Sequence, residues 1–408
     1  MQQPLGHEKE ATVRCVPRRC PVCGGNSTAT LFENRIAATA GFDFSSPIVR
    51  CTSCGTAYAG NALLPFELNR YYRNLSKYDT VAGPQNIPPL DRERAALAVK
   101  FLAPIIGSVS NVLDVGCSSG AFLSVLRDAG VKNAQGIDPA EHAPSAARRL
   151  FDISVTQADA EAYDQYGNYD LVCLMAVVEH LRDPIKLLRK IGRQLRPNGR
   201  LLIEVPDAGA FDRIGDTRQF EPFGEFSNEH INFLSITNLR QLGLAAGLEV
   251  ERWQPWRVLS GAPGMFVLLR PAAAPVALPG PDVGSTESRF SSDDSLKNYI
   301  ARSKLGMQDV EKRLANTCGG KILIYGAGNH TGRLLAQSPS LAASEVLAVF
   351  DRNRLLHGER IGDSQILPPT ALHDFPPLPV IISTFNARHD IYRSLRAVTT
   401  QPLILLYD

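Results

Sequence analysis

The stretch Val112-Leu113-Asp114-Val115-Gly116-Cys117-Ser118-Ser119-Gly120 decides the fold of this chain. It predicts a buried strand that enters a glycine-rich turn, and Ala121-Phe122-Leu123 opens a helix behind the turn. A side chain at Gly116 or Gly120 would crowd a ligand against the backbone. The N-terminus of the helix offers unpaired N–H groups and a partial positive charge. The stretch therefore indicates a site for the polar end of a nucleotide-like ligand.

The spacing of acids and glycines distinguishes two kinds of nucleotide site. A dinucleotide site typically has Gly-x-Gly-x-x-Gly with a ribose-binding acid about 20 residues later. Here the spacing is Asp-x-Gly-x-x-x-Gly, and a second acid, Asp138, stands where the next strand should end. This pattern resembles the class I methyltransferases that use S-adenosylmethionine. The alternative is a generic strand–turn–helix unit of an α/β domain.

The resemblance implies roles for several residues. In class I methyltransferases the glycine loop lies against the amino-acid part of the cofactor, and the acid after the second strand binds both ribose hydroxyls. Such a carboxylate makes charge-assisted hydrogen bonds, which are stronger than neutral ones. Asp159 follows a short β-branched strand and suits the adenine edge. The candidate cofactor-binding residues are Asp114, Gly116, Cys117, Gly120, Asp138, Pro139, Asp159 and Ala160.

Strands and helices alternate after the turn. Apolar strands are predicted at 169–174 and 200–205, with a helix at 184–195 between them. This alternation implies a parallel sheet covered on both faces, with ligands beyond the carboxyl ends of the strands. The resemblance to methyltransferases covers roughly Asp91 to Arg270.

Four of the eight cysteines form a pattern: Cys20-x-x-Cys23-Gly and Cys51-x-x-Cys54-Gly, with 27 residues between the pairs. Two such turns can place four thiolates around a zinc ion. Because four cysteines leave no open coordination position, the site should be structural. Two disulfides are the alternative, which a cytoplasmic location disfavours. A redox Cys-x-x-Cys would need only one pair.

A second glycine turn follows the apolar run 321–325. Gly326-x-Gly328-x-x-x-Gly332 with Asp351 downstream would, alone, suggest a nicotinamide cofactor, or else glycines that only allow close strand–helix packing. His330 at the first turn of the following helix is interpreted as a surface residue, with contact to a sugar or nucleotide as the alternative.

The length of 408 residues predicts two to three domains, since one domain typically takes about 100–200 residues. We predict an α/β chain with a zinc-binding N-terminal module at 1–80, a Rossmann-like methyltransferase domain at 90–272, a linker at 273–294 and a second, C-terminal Rossmann-like domain at 295–408. The net charge of +2 gives no reason to expect nucleic acid or an anionic membrane. The polar N-terminus and the absence of a long apolar run favour a cytoplasmic protein, monomer or homodimer.

The three regions together resemble the sugar C-methyltransferases of deoxysugar biosynthesis and their relatives in surface-polysaccharide gene clusters. The resemblance covers nearly the full chain. The best-studied members methylate C3 of a nucleotide-linked 4-keto-6-deoxy sugar and carry an aromatic-rich Glu-His segment after strand five, which here is 223–235. They also have a Tyr two residues before the Glu, where this chain has Ser227. A related acceptor is therefore an alternative.

The predicted chemistry assigns roles to three residues. A carbon next to a ketone must lose a proton before it attacks a methyl sulfonium, and a histidine near neutral pKa suits that task. We predict His230 as the base, Glu229 as its partner or a substrate ligand, and Tyr78, with Tyr72 second, as the phenol that the family brings over the site. Alternatives are a loop role for His230, packing roles for the tyrosines, and O- or N-methylation of another small molecule. His180 is predicted to line the acceptor pocket or to cap a helix.

Overall fold

The computed structural model describes residues 12–75, 87, 89–214, 220–257, 262–273 and 286–407. The N-terminal region consists of short strands and one helix: β1 (Val13–Arg14), β2 (Val16–Pro17), β3 (Thr28–Asn34), β4 (Phe42–Asp43), β5 (Ser46–Cys51), β6 (Ala57–Ala59), β7 (Asn61–Ala62) and α1 (Pro65–Leu75). None of the helices in the described ranges is long and apolar enough to span a membrane.

The middle region alternates helices and strands. Its elements are α2 (Pro89–Ile106), β8 (Asn111–Val115), α3 (Ala121–Asp128), β9 (Asn133–Asp138), α4 (Ala143–Phe151), β10 (Ser154–Gln157), β11 (Leu171–Met175), α5 (Pro184–Gln194), β12 (Arg200–Pro206), β13 (Asn232–Phe233), α6 (Ile236–Ala245), β14 (Leu248–Trp256) and β15 (Gly264–Pro271). Helix α5 begins where predicted, because the Asp183 side chain accepts from the backbone N–H of Lys186 and Pro184 stands at the first helical position.

The central sheet has seven strands in the order β10-β9-β8-β11-β12-β15-β14. The strands from β10 to β12 run parallel, whereas β15 pairs antiparallel with both β12 and β14. Strands β8 and β11 are almost completely buried, as their apolar sequences require. The predicted mixed α/β fold with a Rossmann-like core sheet is confirmed, and its carboxyl edge is where a ligand site is expected.

The N-terminal region packs onto the central sheet. Strand β6 pairs antiparallel with β13, which belongs to the middle region, so the four-stranded sheet β13-β6-β5-β3 joins the two. Arg182 of the middle region donates to the backbone carbonyls of Ala62 and Pro17. These contacts bring α1, at the end of the N-terminal region, to the carboxyl edge of the central sheet.

The C-terminal region forms a second sheet of six strands in the order β18-β19-β17-β16-β20-β21, parallel except for β18. Its elements are α7 (Thr286–Ala315), β16 (Lys321–Tyr325), α8 (Asn329–Gln337), α9 (Pro339–Ala342), β17 (Glu345–Phe350), β18 (Arg360–Ile361), β19 (Ser364–Leu367), β20 (Val380–Ile382), α10 (Arg388–Arg396) and β21 (Leu403–Leu405). Helix α7 begins inside the stretch predicted as linker, because the sequence has neither Pro nor Gly between Gly284 and Gly306.

Candidate active site

The first glycine turn follows β8 at the carboxyl edge of the central sheet. Gly116 has a φ of +73°, and a Cβ there would come within 2.8 Å of Val177 Cγ2. Gly120 has a φ of +77° and immediately precedes α3. Only glycine adopts such backbone angles without strain. The N–H groups of Gly116, Cys117, Ser118 and Gly120 are hydrogen-bonded within the chain. What the two glycines offer a ligand is therefore close approach to the backbone at the N-terminus of α3.

Asp138, at the end of β9, faces this turn. Its Oδ2 accepts from the backbone N–H of Ser118 (2.8 Å), and its Oδ1 accepts from that of Ala140 (2.9 Å). An ionised carboxylate has about four acceptor positions, so each oxygen keeps one for a ligand hydroxyl. Burial raises the pKa of Asp138, while the two backbone hydrogen bonds oppose that shift. The geometry fits a pair of vicinal ribose hydroxyls.

Asp114 lies deeper, at only 2% exposure on β8. Its Oδ1 has no hydrogen-bond partner among the residues that the structure describes. Burial, and then the nearby Asp138, raise the pKa of Asp114 well above its ordinary value. A buried acceptor without a partner is costly, so this oxygen fits a ligand that brings a donor, such as an ammonium group.

The other candidate cofactor residues lie on the loops at the same edge. Asp159 Oδ1 accepts from the backbone N–H of Glu161 (2.7 Å), and Asp159 Oδ2 accepts from the Asn69 side chain on α1. Cys117 is buried against Gly136, which has no Cβ to block it. The backbone carbonyls of Pro139 and Ala160 are already hydrogen-bonded within the chain. Pro139 accepts from the Gln157 side chain, and Ala160 accepts from the Tyr166 hydroxyl. The contact from Asn69 was not predicted, since nothing in the sequence pairs it with Asp159.

Four cysteines of the N-terminal region form one cluster. Each of Cys20, Cys23, Cys51 and Cys54 presents a sulfur within 4.8 Å of the others. The Sγ–Sγ distance is 3.5 Å for Cys20–Cys54 and for Cys23–Cys51. A disulfide would need about 2.05 Å, whereas sulfurs about 2.3 Å from a central zinc in a tetrahedron lie roughly 3.8 Å apart. The donor set thus fits a closed, four-coordinate zinc site.

The glycine after each Cys-x-x-Cys pair allows the tight turn that brings the two sulfurs of the pair together. Gly24 and Gly55, each directly after a Cys-x-x-Cys pair, have φ angles of +72° and +78°. Their backbone N–H groups donate to the carbonyls of Cys20 and Cys51, both at 2.9 Å. Each turn therefore closes on its own cysteine, and both pairs of sulfurs face the same centre.

His230 lies in a cluster of imidazoles and carboxylates beyond β11 and β12. The His180 and His230 rings meet edge to face, with centroids 5.0 Å apart. Glu179, His180 and His230 each present a ligand atom within 4.8 Å of the other two. Glu225 Oε2 lies 4.0 Å from His230 Nδ1. This group can exchange a proton with an acceptor, and two imidazoles with a carboxylate are also a donor set that divalent metals accept.

The two nearest carboxylates have altered acidity. Glu179 is 2% exposed, and neither of its oxygens has a hydrogen-bond partner within the described ranges. Burial, followed by the nearby Glu204, raises the pKa of Glu179 well above its ordinary value. Burial and then Glu221 raise the pKa of Glu225 to about 7. A carboxyl such as Glu225, with a pKa near neutrality and beside a histidine, is typical of acid–base sites.

Helix α1 contributes two tyrosines to this cluster. The Tyr72 hydroxyl and His180 Nδ1 are 3.1 Å apart, and the Tyr71 hydroxyl donates to Glu229 Oε1 at 2.8 Å. Glu229, predicted as the partner of His230 or as a substrate ligand, is thus bonded to Tyr71 and is 3% exposed. Tyr78, the first choice for a phenol, lies outside the described residues. Sequence reasoning did not identify Tyr71 or Glu225.

The second glycine turn is hydrogen-bonded to Asp351, and the helix behind it, α8, packs on the N-terminal region. Asp351 Oδ2 accepts from the backbone N–H of Ala327 (2.7 Å), and a Cβ on Gly332 would come within 2.7 Å of Ile36. The interpretation of His330 as a surface residue is wrong. It is 4% exposed and hydrogen-bonded to Ser383 and Tyr407, because β20 and the chain end close over it. Burial lowers the pKa of His330 to about 3, so it is neutral.

Known proteins similar to this chain are methyltransferases. Residues 90–252 match the family described as methyltransferase domain. The ubiquinone biosynthesis O-methyltransferase of Pseudomonas aeruginosa (strain UCBPP-PA14) is 29% identical over 171 residues, which are 39% of this chain and 68% of the relative. The enzyme of that name from Xanthomonas axonopodis pv. citri is 25% identical over 207 residues, or 47% of this chain and 85% of the relative.

Solved structures that match include the 1,6-didemethyltoxoflavin-N1-methyltransferase of Burkholderia thailandensis, with bound S-adenosylhomocysteine. It is 19% identical, with 53% of this chain and 96% of that chain covered and a TM-score of 0.40. The matched family covers α2 and the parallel strands that carry Asp114, Asp138 and the first glycine turn. This chain is a class I, S-adenosylmethionine-dependent methyltransferase.

Proposed function

We propose that this enzyme methylates a carbon of a nucleotide-linked ketosugar, with His230 as the base. The carrying observation is the convergence of two imidazoles, buried carboxylates and two phenols at the carboxyl edge of the central sheet. Such a set suits the removal of a proton from a weakly acidic group. The resemblance of the chain to sugar C-methyltransferases supports the acceptor class.

The cofactor supplies a methyl group on a positively charged sulfur. In the proposal, Asp138 accepts from the ribose hydroxyls with the positions that Ser118 and Ala140 leave open. Asp114 Oδ1 receives the ammonium group, which supplies the donor this buried oxygen lacks among the described residues. In the proposal, Asp159 also lies at the adenine edge, where Asn69 of α1 adds a side-chain amide beside its carboxylate. Gly116, Cys117 and Gly120 shape the turn, and Pro139 and Ala160 line the loops.

The acceptor chemistry follows from the contacts of His230. Its imidazole takes the proton from the carbon beside the ketone, and the electron pair of that C–H bond then forms the new bond to the methyl carbon. The bond between this methyl and the cofactor sulfur breaks in the same step, and its electron pair stays on the sulfur, so that S-adenosylhomocysteine leaves. The imidazolium is stabilised by Glu225, whose Oε2 is 4.0 Å away, when that carboxyl is ionised. The developing enolate oxygen needs a donor, and the Tyr72 hydroxyl on α1 is the nearest described phenol to His180.

The cysteine cluster has a structural role in this proposal. Cys20, Cys23, Cys51 and Cys54 would hold one zinc ion, leaving it no open position for chemistry. The ion would fix the sheet β13-β6-β5-β3, and through it the position of α1 with Tyr71 and Tyr72. We therefore propose that this chain has one catalytic region and a separate structural metal site.

O-methylation is a second candidate. The curated relatives are named ubiquinone biosynthesis O-methyltransferases, and a histidine base can deprotonate a hydroxyl as well as a carbon. The matches with them cover 39% and 47% of this chain. N-methylation needs no base, so the buried Glu179 and the half-buried His180 and His230 would have no role in it.

Incubation with a panel of nucleotide-linked ketosugars and labelled S-adenosylmethionine tests the acceptor. We expect a product with the new methyl on carbon, located by mass and NMR. In D2O, with a cofactor analogue that cannot transfer methyl, the hydrogen at the reacting carbon should exchange for deuterium. A methyl on oxygen or nitrogen would overturn C-methylation. A further control is enzyme treated with a chelator so that it keeps its cysteine-bound zinc. If this enzyme is active only after Mn²⁺ or Fe²⁺ is added, His230 is a metal ligand and not the base.

Cofactor binding by the Asp138→Ala variant is expected to be weaker by roughly 1.5–3 kcal/mol, because charged hydrogen bonds to the ribose are lost. Calorimetry with S-adenosylhomocysteine measures this. The matched control is Asp128→Ala on α3, where the carboxylate is 76% exposed, and it should bind like wild type. Equal affinity of wild type and Asp138→Ala would remove Asp138 from the cofactor site.

A further inference from the structure

Arg333 on α8 is an unusual buried cation. Its side chain is fully buried at the junction of the C-terminal, N-terminal and middle regions. Nη2 donates to the Phe226 carbonyl (2.7 Å) and to Asn34 Oδ1 (3.0 Å), while Nε and Nη1 have no partner in the described part of the chain. The guanidinium also lies over the Phe223 ring, 5.4 Å from its centroid. Burying a charged group costs free energy, so a buried guanidinium at this place suggests that its contact with the Phe226 carbonyl has a function.

The segment that Arg333 touches, 223–226, is a local turn, closed by a hydrogen bond from the Phe226 N–H to the Phe223 carbonyl (3.0 Å), that is also held by side chains of the C-terminal region. Phe223 has a φ of +58°, unusual for a residue with a large side chain. Its N–H donates to Ser303 Oγ (3.1 Å), and the N–H of Glu225 donates to the Tyr299 hydroxyl (2.9 Å), both on α7. Strained backbone persists only where its surroundings determine it. Here α7 and α8 of the C-terminal region are those surroundings.

This segment carries Glu225 into the acid–base cluster. Glu225 Oε2 lies 4.0 Å from His230 Nδ1, and Glu225 immediately precedes the carbonyl that accepts from Arg333. The rings of Phe223 and Phe226 pack together on Phe32 of β3, so the side chains on either side of Glu225 are fixed as well. Without Arg333 the Phe226 carbonyl would keep only the longer hydrogen bond from Asn34 Nδ2 (3.3 Å), so the backbone beside Glu225 would be less firmly held next to His230.

We propose that Arg333 is a positioning residue: the C-terminal region uses it to hold segment 223–226 so that Glu225 stays beside His230. The second sheet then serves the methyltransferase as a brace for the acceptor site. The inference rests on the proposed role of His230, but its structural part can be measured without an acceptor.

Hydrogen–deuterium exchange of the full-length enzyme tests it. In Arg333→Met, amides in the peptide covering 221–231 are expected to exchange at least tenfold faster, whereas peptides of β16 and β20 should be unchanged. Arg333→Lys, which keeps a charged donor, should recover part of the protection. With the acceptor that the nucleotide-sugar panel yields, kcat should fall at least tenfold while the affinity for S-adenosylhomocysteine stays within twofold.

Three further variants separate positioning from general stability. Arg396→Met removes an exposed arginine that lies over Tyr392, and Leu334→Val trims the core on α8; both should leave exchange at 221–231 and kcat at wild-type values. Ser303→Ala, which removes the contact to Phe223 N–H, should reproduce the Arg333→Met effect and decides the question if Arg333→Met does not fold.

Unchanged exchange at 221–231, or equal loss of protection in Leu334→Val, would overturn the inference. An active His230→Ala enzyme with the exchange effect intact would instead overturn only the base assignment and the catalytic consequence of the brace.

Discussion

Methyl transfer by the His230→Ala variant is expected to be about 10²–10⁴ times slower than by wild type, the usual cost of losing a general base. The imidazole lies in the acid–base cluster, whereas the cofactor is assigned to the glycine turn and Asp138, so cofactor affinity should barely change. Solvent exchange at the reacting carbon should be lost together with transfer. Single-turnover kinetics with labelled cofactor and calorimetry with S-adenosylhomocysteine measure the two effects separately.

Two comparisons sharpen this expectation. His389→Ala changes an exposed histidine on α10 and should have full activity. His180→Ala removes the partner of the Tyr72 hydroxyl and should slow transfer less than His230→Ala if His230 is the base. If His230→Ala is active and His180→Ala is not, the base is His180. If both are active, proton removal by a histidine is not part of the reaction.

The backbone of the first glycine turn was predictable because its signals are local. The positive φ angles at Gly116 and Gly120 require glycine, and Asp138 lies at the end of the next strand, so each feature shows in a short stretch of sequence. The cysteine pairs are local for the same reason, since each pair with its glycine forms one turn. The sheet follows from alternating apolar strands and helices.

The contacts between regions could not be predicted in the same way. Tyr71 and Glu229 are separated by 158 positions, and Asn69 and Asp159 by 90, yet each pair is hydrogen-bonded. No periodicity or motif in the sequence pairs residues that distant. The predicted Glu-His segment drew attention to Glu229, whereas the described acid facing His230 Nδ1 is Glu225, placed there by the turn at Phe223.

His330 and Arg333 show the same limit in the C-terminal region. Their helix follows a glycine turn, which favours exposed, ligand-facing side chains, and both residues are polar. Both are buried, because Tyr407 covers one and Asn34 with Phe226 covers the other. Whether the end of α8 faces solvent or protein depends on how three regions pack, which local sequence does not encode.

Replacing Cys51 with serine is expected to unfold the N-terminal region and abolish activity. Metal binding and folding are coupled, and structural zinc contributes about 10–16 kcal/mol in isolated zinc peptides near neutral pH. Cys51 is fully buried, and its backbone lies in β5, which pairs with both β3 and β6. Loss of the ion should therefore release β6 from β13 and α1 from the acid–base cluster. Elemental analysis should find one zinc per wild-type chain and less than a tenth of that in the variant.

Cys318→Ser supplies the matched control, because Cys318 lies in the C-terminal region and outside the cluster. It should keep one zinc, wild-type thermal unfolding and full activity. Limited proteolysis separates the two consequences of Cys51→Ser: cleavage should be confined to the first 75 residues, since the central sheet has its own buried strands. Wild-type enzyme with no metal and four alkylatable thiols at Cys20, Cys23, Cys51 and Cys54 would rule out the zinc site. Packing of the N-terminal region against Arg182 and β13 would then have to hold α1 in place by itself.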